Sequence, residues 1–216
     1  MLGDMGTMIN RRRVCGGSKK LPYDAEIEYL ESSGTQYIDT GFILPVNVVY
    51  QISCAVMFLN INRTQQIYAS NIDNYTKAGL INISGYINAY TKAGSSWSNT
   101  NIQVLDDTIY NTTYICNENS VFVEINGVQK EYATSTPYVI ATGLKQYIFC
   151  TNGKGHANLE HSLIGRIYHL ELIINGTVVQ DFIPVRVGQV GYLYDKVSGQ
   201  LFGNAGTGEF ILGPDK

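Results

Sequence analysis

At 216 residues, with 44% hydrophobic and 15% charged side chains, the chain is long enough to bury one sizeable core. Its formal net charge of -3 leaves no overall positive field for nucleic acid. No apolar run reaches the roughly 18–20 residues that span a bilayer, and the start MLGDMGTMINRRRVCGGSKK has no apolar block after its positive charges, which speaks against membrane insertion and a secretory signal.

Residues 1–22 differ in composition from the rest of the chain. Arg11, Arg12, Arg13, Lys19 and Lys20 make them a basic arm, set apart from a domain over residues 23–216. One reading is a disordered leader that buries nothing. Another is an extended anchor that orders on an acidic surface of a neighbouring subunit. A nucleic-acid tail and a lipid-modified Cys15 are weaker readings.

The body is written in strands. Abundant Tyr, Val, Ile and Thr, 22 Gly, and the absence of helical-period runs predict an all-β protein. Ile27 and Tyr29 alternate with Glu26 and Glu28, Ser33-Gly34 supplies a turn, and a short strand over 36–40 ends at Gly41. A long strand comes next over 48–59, with Val48, Tyr50, Ile52, Cys54 and Val56 on one face. Short strands are expected at 66–69, 79–83, 86–90 and 96–98. The two copies of Tyr-Thr-Lys-Ala-Gly, at 75–79 and 90–94, read as turns that end strands on glycine. A hairpin over 111–116 and 121–125 leads to Asn126-Gly127, a strong two-residue turn signal because both positions tolerate positive φ.

Further strands are expected at 138–141 and 145–150, then a polar loop over 151–161. A strand over 166–174 should point Tyr168, Leu170, Leu172 and Ile174 one way and Ile167, His169, Glu171 and Ile173 the other. Asn175-Gly176 and Ser198-Gly199 are further turns, and the glycines of 203–208 close the chain. The stretch 165–210 is expected to pair with the opening strand at 37–40. So many short strands with tight turns make a two-sheet antiparallel sandwich or jelly roll the economical arrangement.

The start EYLESSGTQYIDTG, the central VFVEINGV, the late LIGRIYHLELIINGTVVQDFIPV and the close GYLYDKVSGQLFGNAGTGEF together resemble the laminin-G-like, concanavalin A-like jelly-roll modules of gut bacteria and their phages. The likeness covers nearly the whole body, and its YIDTG and D-x-x-S-G-x-x-F-x-N-A-G-T-G segments are its distinctive parts. It implies a pair of curved antiparallel sheets used in sugar binding, in adhesion or in virion fibres and decoration proteins. It implies no activity, so function has to be argued from a site.

Chemistry is sparse. Glu26, Glu28 and Glu31 form E-x-E-x-x-E, close to the E-x-D-x-x-E of one glucanase family of this fold. Glu26 and Glu31 are an odd number apart, however, and point to opposite faces of a regular strand, against the paired carboxyls a retaining glycosidase needs. His156 and His161 share a loop with Glu160 without a fourth zinc ligand. Asp39, Asp106, Asp107 and Asp181 show no calcium-loop spacing. The expectation is therefore no catalytic residue, no metal and no cofactor. Cys15, Cys54, Cys116 and Cys150 form no C-x-x-C; the last three sit in apolar strands, either as buried thiols or as a disulfide between neighbouring strands.

For ligand binding the best candidates are the single Trp97 with Tyr86, Tyr90 and Asn99, an aromatic platform with an amide donor that suits a surface glycan. Packing of Trp97 on the core is the competing reading. An adhesin-like module with a basic leader and no export signal leads to the expectation of a non-enzymatic phage virion protein: a head fibre, decoration or tail-associated component. It would be a homo-oligomer joined to other virion proteins through Arg11, Arg12, Arg13, Lys19 and Lys20. The alternative is a secreted bacterial carbohydrate-binding or adhesion module.

Overall fold

The computed structural model describes residues 20–72, 77–83, 85–92, 98–117, 120–133 and 143–216. In chain order the strands are β1 (Ala25–Glu26), β2 (Leu30–Ser33), β3 (Ile38–Ile43), β4 (Tyr50–Phe58), β5 (Gln65–Asn71), β6 (Lys77–Ile83), β7 (Tyr86–Lys92), β8 (Ser98–Gln103), β9 (Ile109–Cys116) and β10 (Ser120–Ile125). They continue with β11 (Val128–Ala133), β12 (Lys145–Ile148), β13 (Thr151–Gly153), β14 (His156–Asn158), β15 (Ile164–Ile174), β16 (Thr177–Val187), β17 (Val190–Asp195), β18 (Gln200–Phe202) and β19 (Ile211–Leu212).

These strands make two sheets, as the sandwich expectation requires. The first runs β11-β10-β9-β4-β15-β16-β17-β18, with β1 on β16 and β2 bridging β15 to β19. The second runs β14-β13-β5-β6-β7-β8, with β3 and β12 joined beside β5. Pairing is antiparallel except between β13 and β5. The core lies between the sheets because alternate residues of each strand turn inward. Tyr50, Ile52, Cys54, Val56 and Phe58 of β4 are buried with Tyr114, Val123, Leu170, Leu172 and Phe182 of the same sheet, against Ile38, Ile67, Tyr68, Ile87 and Ile148 of the other. Tyr50 and Tyr114 satisfy each other's hydroxyls at 2.9 Å within this core, and burial holds the Tyr50 phenol well above its ordinary pKa. Cys54, Cys116 and Cys150 are free and buried, as the thiol reading expected.

The Asn126-Gly127 hairpin forms with φ of 47° and 83°, so both central residues are left-handed as a two-residue turn requires. Several expectations need correction. The repeated Tyr-Thr-Lys-Ala-Gly segments are strand, not turn, where described: Lys77, Ala78 and Gly79 of β6 pair with Lys92, Thr91 and Tyr90 of β7. The supposed loop over 151–161 holds the β13–β14 hairpin, turned by Lys154-Gly155 at φ 55° and 89°. β3 continues past Gly41 to Ile43, and of the strand expected at 96–98 only Ser98 is described, at the start of β8. The strand expected at 138–141 lies outside the described residues.

In β15 a register shift between Ile167 and His169 reverses the facing pattern. Ile167, Leu170 and Leu172 are all buried, while Tyr168 turns outward to meet Tyr29 at 5.5 Å between ring centroids. The partners of the C-terminal stretch also differ from expectation. β3 pairs with β12, and it is β1 and β2 that join β16, β15 and β19.

The two ends of the body close on each other. Lys216 N donates to Glu26 O at 3.0 Å, Glu28 N to Pro214 O at 2.9 Å and Gly213 N to Tyr29 O at 3.0 Å. Further in, Ala205 N donates to Tyr37 O at 2.8 Å and Thr207 N to Thr35 O at 3.1 Å.

Candidate functional site

The distinctive motifs prove to be structural. The Asp of D-x-x-S-G, Asp195, is buried and accepts backbone N–H bonds from Asp181, Val197 and Ser198 at 2.9, 3.1 and 3.2 Å, which fixes the turn into β18. Asn204 accepts from Tyr37 N at 3.2 Å and Gly206 N at 2.8 Å, and donates to Gly208 O at 2.8 Å. A Cβ on Gly206 would stand 2.1 Å from Thr35 O, so only glycine admits this approach. Gln36, from the opening motif, accepts from Ser33 N at 2.9 Å and donates to Glu209 O at 3.1 Å. The glycines of the close therefore hold the chain's own backbone.

The acidic run is likewise committed. Glu31 takes the Arg166 Nε–H at 2.6 Å, and that guanidinium lies 4.4 Å from the centroid of the Tyr29 ring. The Glu31 hydrogen bond raises the Arg166 pKa further. Glu26 accepts the Tyr23 hydroxyl at 3.1 Å. Asp39 pairs with Lys145 at 3.0 Å, Asp106 accepts Ile61 N at 2.8 Å, and Asp181 meets both His169 at 2.8 Å and Lys196 at 2.7 Å. Burial raises the Asp181 pKa, but the Lys196 and His169 bonds outweigh it and leave the carboxyl below its ordinary value. Among the described residues no three His, Cys, Asp or Glu side chains gather as metal ligands.

The ligand-binding candidates fall on the second sheet. Tyr86 opens β7 and is 40% exposed, while its neighbour Ile87 is fully buried, so the strand turns Tyr86 away from the core. Positions 86, 88 and 90 share one face of the pleat. Asn99 of β8 pairs with Asn88, midway between Tyr86 and Tyr90. Trp97 lies outside the described residues, as do Arg11, Arg12, Arg13 and Lys19; Lys20 is exposed.

Register carries this face toward residues that the sequence does not mark as ligand contacts. Tyr90 pairs with Gly79, Gly79 with Ala69, Ala69 with Tyr147 and Tyr147 with Asp39. The row spans β7, β6, β5, β12 and β3, about 19 Å at the ordinary strand spacing. At its far end the Tyr37 and Tyr147 rings lie 5.0 Å apart beside the Asp39–Lys145 ion pair. Burial, then the nearby acidic groups, raises both phenol pKa values, so each hydroxyl stays neutral and able to donate or accept. Ala69 and Tyr147 are themselves buried, so the described groups that reach solvent lie at the two ends, Tyr86 at one and Tyr37, Asp39 and Lys145 at the other, an aromatic and charged chemistry suited to sugar hydroxyls and ring faces. Nothing local to Tyr147 or Asp39 announces this, since strand register alone brings them into line.

No family model and no curated protein matches the chain. Solved structures do. A "putative carbohydrate binding protein" from Bacteroides ovatus matches 87% of the chain at 10% identity and TM-score 0.59, over 60% of its own length. Domains LG4-5 of the mouse laminin alpha1 chain match 80% at 14% identity and TM-score 0.54, over 48% of their length. A heptameric SAP-like pentraxin from Limulus polyphemus matches 69% at 16% identity and TM-score 0.53, over 76% of its length. The chain thus spans less than two thirds of the first two. At these identities the likeness is one of fold: a laminin-G-like, jelly-roll sandwich.

Proposed function

We propose that this chain is a non-catalytic carbohydrate-binding or adhesion module, and that its ligand lies along the outer face of the second sheet. The observation that carries the reading is the register row from Tyr90 through Gly79 and Ala69 to Tyr147 and Asp39, on the sheet that also exposes Tyr86. Tyr86, Tyr90, Asn99 and Trp97 take one end of the glycan, and Tyr37, Asp39 and Lys145 take the other. The likeness to the Bacteroides ovatus protein supports the choice of ligand class. The non-catalytic reading is supported by Glu31, which is spent on Arg166 rather than paired with a second carboxyl across a substrate.

The same proposal divides the chain into a basic arm, residues 1–22, and a domain, residues 23–216. Display on a virion remains a second reading, favoured only by that arm, and none of the three structures above is described as a virion protein. Mass spectrometry of purified particles tests it: a chain missing from every particle fraction removes the virion placement and leaves the glycan reading intact.

For glycan binding, the full chain is screened on an array, and a hit is titrated against Tyr86→Ala/Tyr90→Ala and against Asp39→Ala. The expected result is a tenfold or greater loss of affinity in the tyrosine double variant, with the melting temperature unchanged. Undiminished binding in both variants overturns this placement of the site.

A further inference from the structure

The outer face of the first sheet carries an ordered pattern that the proposed glycan site does not use. One row aligns Phe122, Ile115, Gln51, Ile173 and Val178 across β10, β9, β4, β15 and β16. Phe122, Ile115 and Ile173 are half-buried and stand outside the core cluster, and Val178 is exposed. The next row aligns Glu124, Thr113, Ser53, Glu171 and Asp181 on the same strands, with Glu131 of β11 paired to Phe122. Lys196 and His169 are both engaged by Asp181. Glu171 and Glu131 make no ion pair among the described residues, and Glu124 has only the Gln129 amide at 2.6 Å. Among the described residues an apolar strip thus runs beside three glutamates that make no ion pair, on a face with no third layer.

The chain delivers a complementary segment to this face. Tyr23 packs edge-on against Tyr194 at 5.0 Å between centroids, and Tyr194 is half-buried between the inward-facing Leu193 and Asp195 of β17, so the arm leaves the domain on the outer side of the first sheet. Residues 8–14 read MINRRRV: Arg11, Arg12 and Arg13 between the apolar Met8, Ile9 and Val14. From β17 to β10 is five strand spacings, about 24 Å. The chain from Tyr23 back to Arg13 reaches about 33 Å when extended at ~3.3 Å per residue, so the arginines can cross the sheet as far as Glu124.

We propose that the occupant of this face is the chain's own arm, with Arg11, Arg12 and Arg13 on Glu171, Glu124 and Glu131 and the flanking apolar residues on the Phe122–Ile115–Ile173 strip. Tethering favours the chain's own arm over that of a second copy, because a short flexible link supplies an effective concentration on the order of millimolar. The contacts are exposed and electrostatic, so they weaken as salt shortens the screening length. The proposal is independent of the glycan reading, which concerns the other sheet.

The test uses the full chain. Cys54, Cys116 and Cys150 are buried, so a nitroxide thiol reagent is directed to Cys15, with Cys15→Ser as the labelling control. Methyl resonances are then read in dilute, low-salt solution. The expected result is broadening that is strongest at Ile115, Ile173 and Val178 and weakest at the exposed Ile43 of the second sheet. The triple variant Arg11→Glu/Arg12→Glu/Arg13→Glu should abolish the effect, as should high salt. Three outcomes overturn the proposal: no broadening on the first sheet, broadening that survives charge reversal, or broadening seen only between separately labelled copies, which would assign the face to another molecule's arm.

Discussion

Where residues 26–37 meet residues 204–216, polar side chains are turned on the chain's own backbone; at β7, the sheet instead turns a tyrosine toward solvent. Asn204 holds Tyr37 N, Gln36 holds Ser33 N and Glu209 O, and Thr35 Oγ1 donates to Thr207 O at 3.0 Å. Tyr86, by contrast, keeps 40% of its surface exposed while its neighbour Ile87 is buried in the core. The difference teaches that the segments with the most recognisable sequence serve closure of the fold. The proposed ligand face draws mainly on β7 and β12, whose sequences carry no distinctive pattern, with Tyr37 and Asp39 of YIDTG at one end. A buried polar group has to be hydrogen-bonded, which restricts its neighbours, whereas a solvent-facing position is restricted only by its ligand.

Breaking the clasp should therefore cost stability, and altering the exposed face should not. Gly206→Ala places a methyl 2.1 Å from a backbone carbonyl that has little room to retreat, and a loss of about 3 kcal/mol is expected in urea unfolding. Gln36→Ala removes the acceptor of Ser33 N and the donor to Glu209 O, while the buried Ser32 hydroxyl keeps its bond to Gln36 O at 3.3 Å; about 2 kcal/mol is expected by the same measurement.

The core between these regions makes a pH prediction. Burial pushes the Cys116 and Cys150 thiols up from 9.0 to about 12. Above pH 9 the unfolded chain releases protons that the folded chain retains, so stability present below that pH falls by about 1.4 kcal/mol per unit for each thiol as pH rises toward 12. Equilibrium unfolding at pH 8, 9 and 10 checks the sign, and Cys150→Ala should reduce the slope. Smallest of all, Tyr86→Ala should change stability by less than about 0.5 kcal/mol, since it leaves Ile87 in place.

How much of this is legible in the sequence depends on the distance between partners. The sandwich can be read from strand alternation and from Asn126-Gly127 and Asn175-Gly176, because those signals are local. The clasp is visible as a motif but not as an interaction, since Tyr37 and Asn204 stand 167 positions apart. Simple alternation puts Tyr168 on the wrong face because the register shift between Ile167 and His169 lets Ile167 and Leu170, three apart, both face the core, and nothing in RIYHLEL marks it. The Tyr-Thr-Lys-Ala-Gly copies mislead because Gly79 sits mid-sheet, opposite Ala69 and Tyr90, where glycine leaves a low floor rather than making a turn. Within the candidate site, Tyr86 can be found from its polar surroundings. Tyr147 and Asp39 cannot, because only the pairing of five strands brings them into the same row.

The most direct measurement is glycan affinity and melting temperature on one set of variants: wild type, Tyr86→Ala/Tyr90→Ala and Gln36→Ala. If the clasp serves the fold and the second-sheet face serves the ligand, the tyrosine variant loses binding at an unchanged melting temperature. Gln36→Ala then melts earlier yet binds normally while folded. Undiminished binding by the tyrosine variant, or loss of binding by folded Gln36→Ala, would contradict the account.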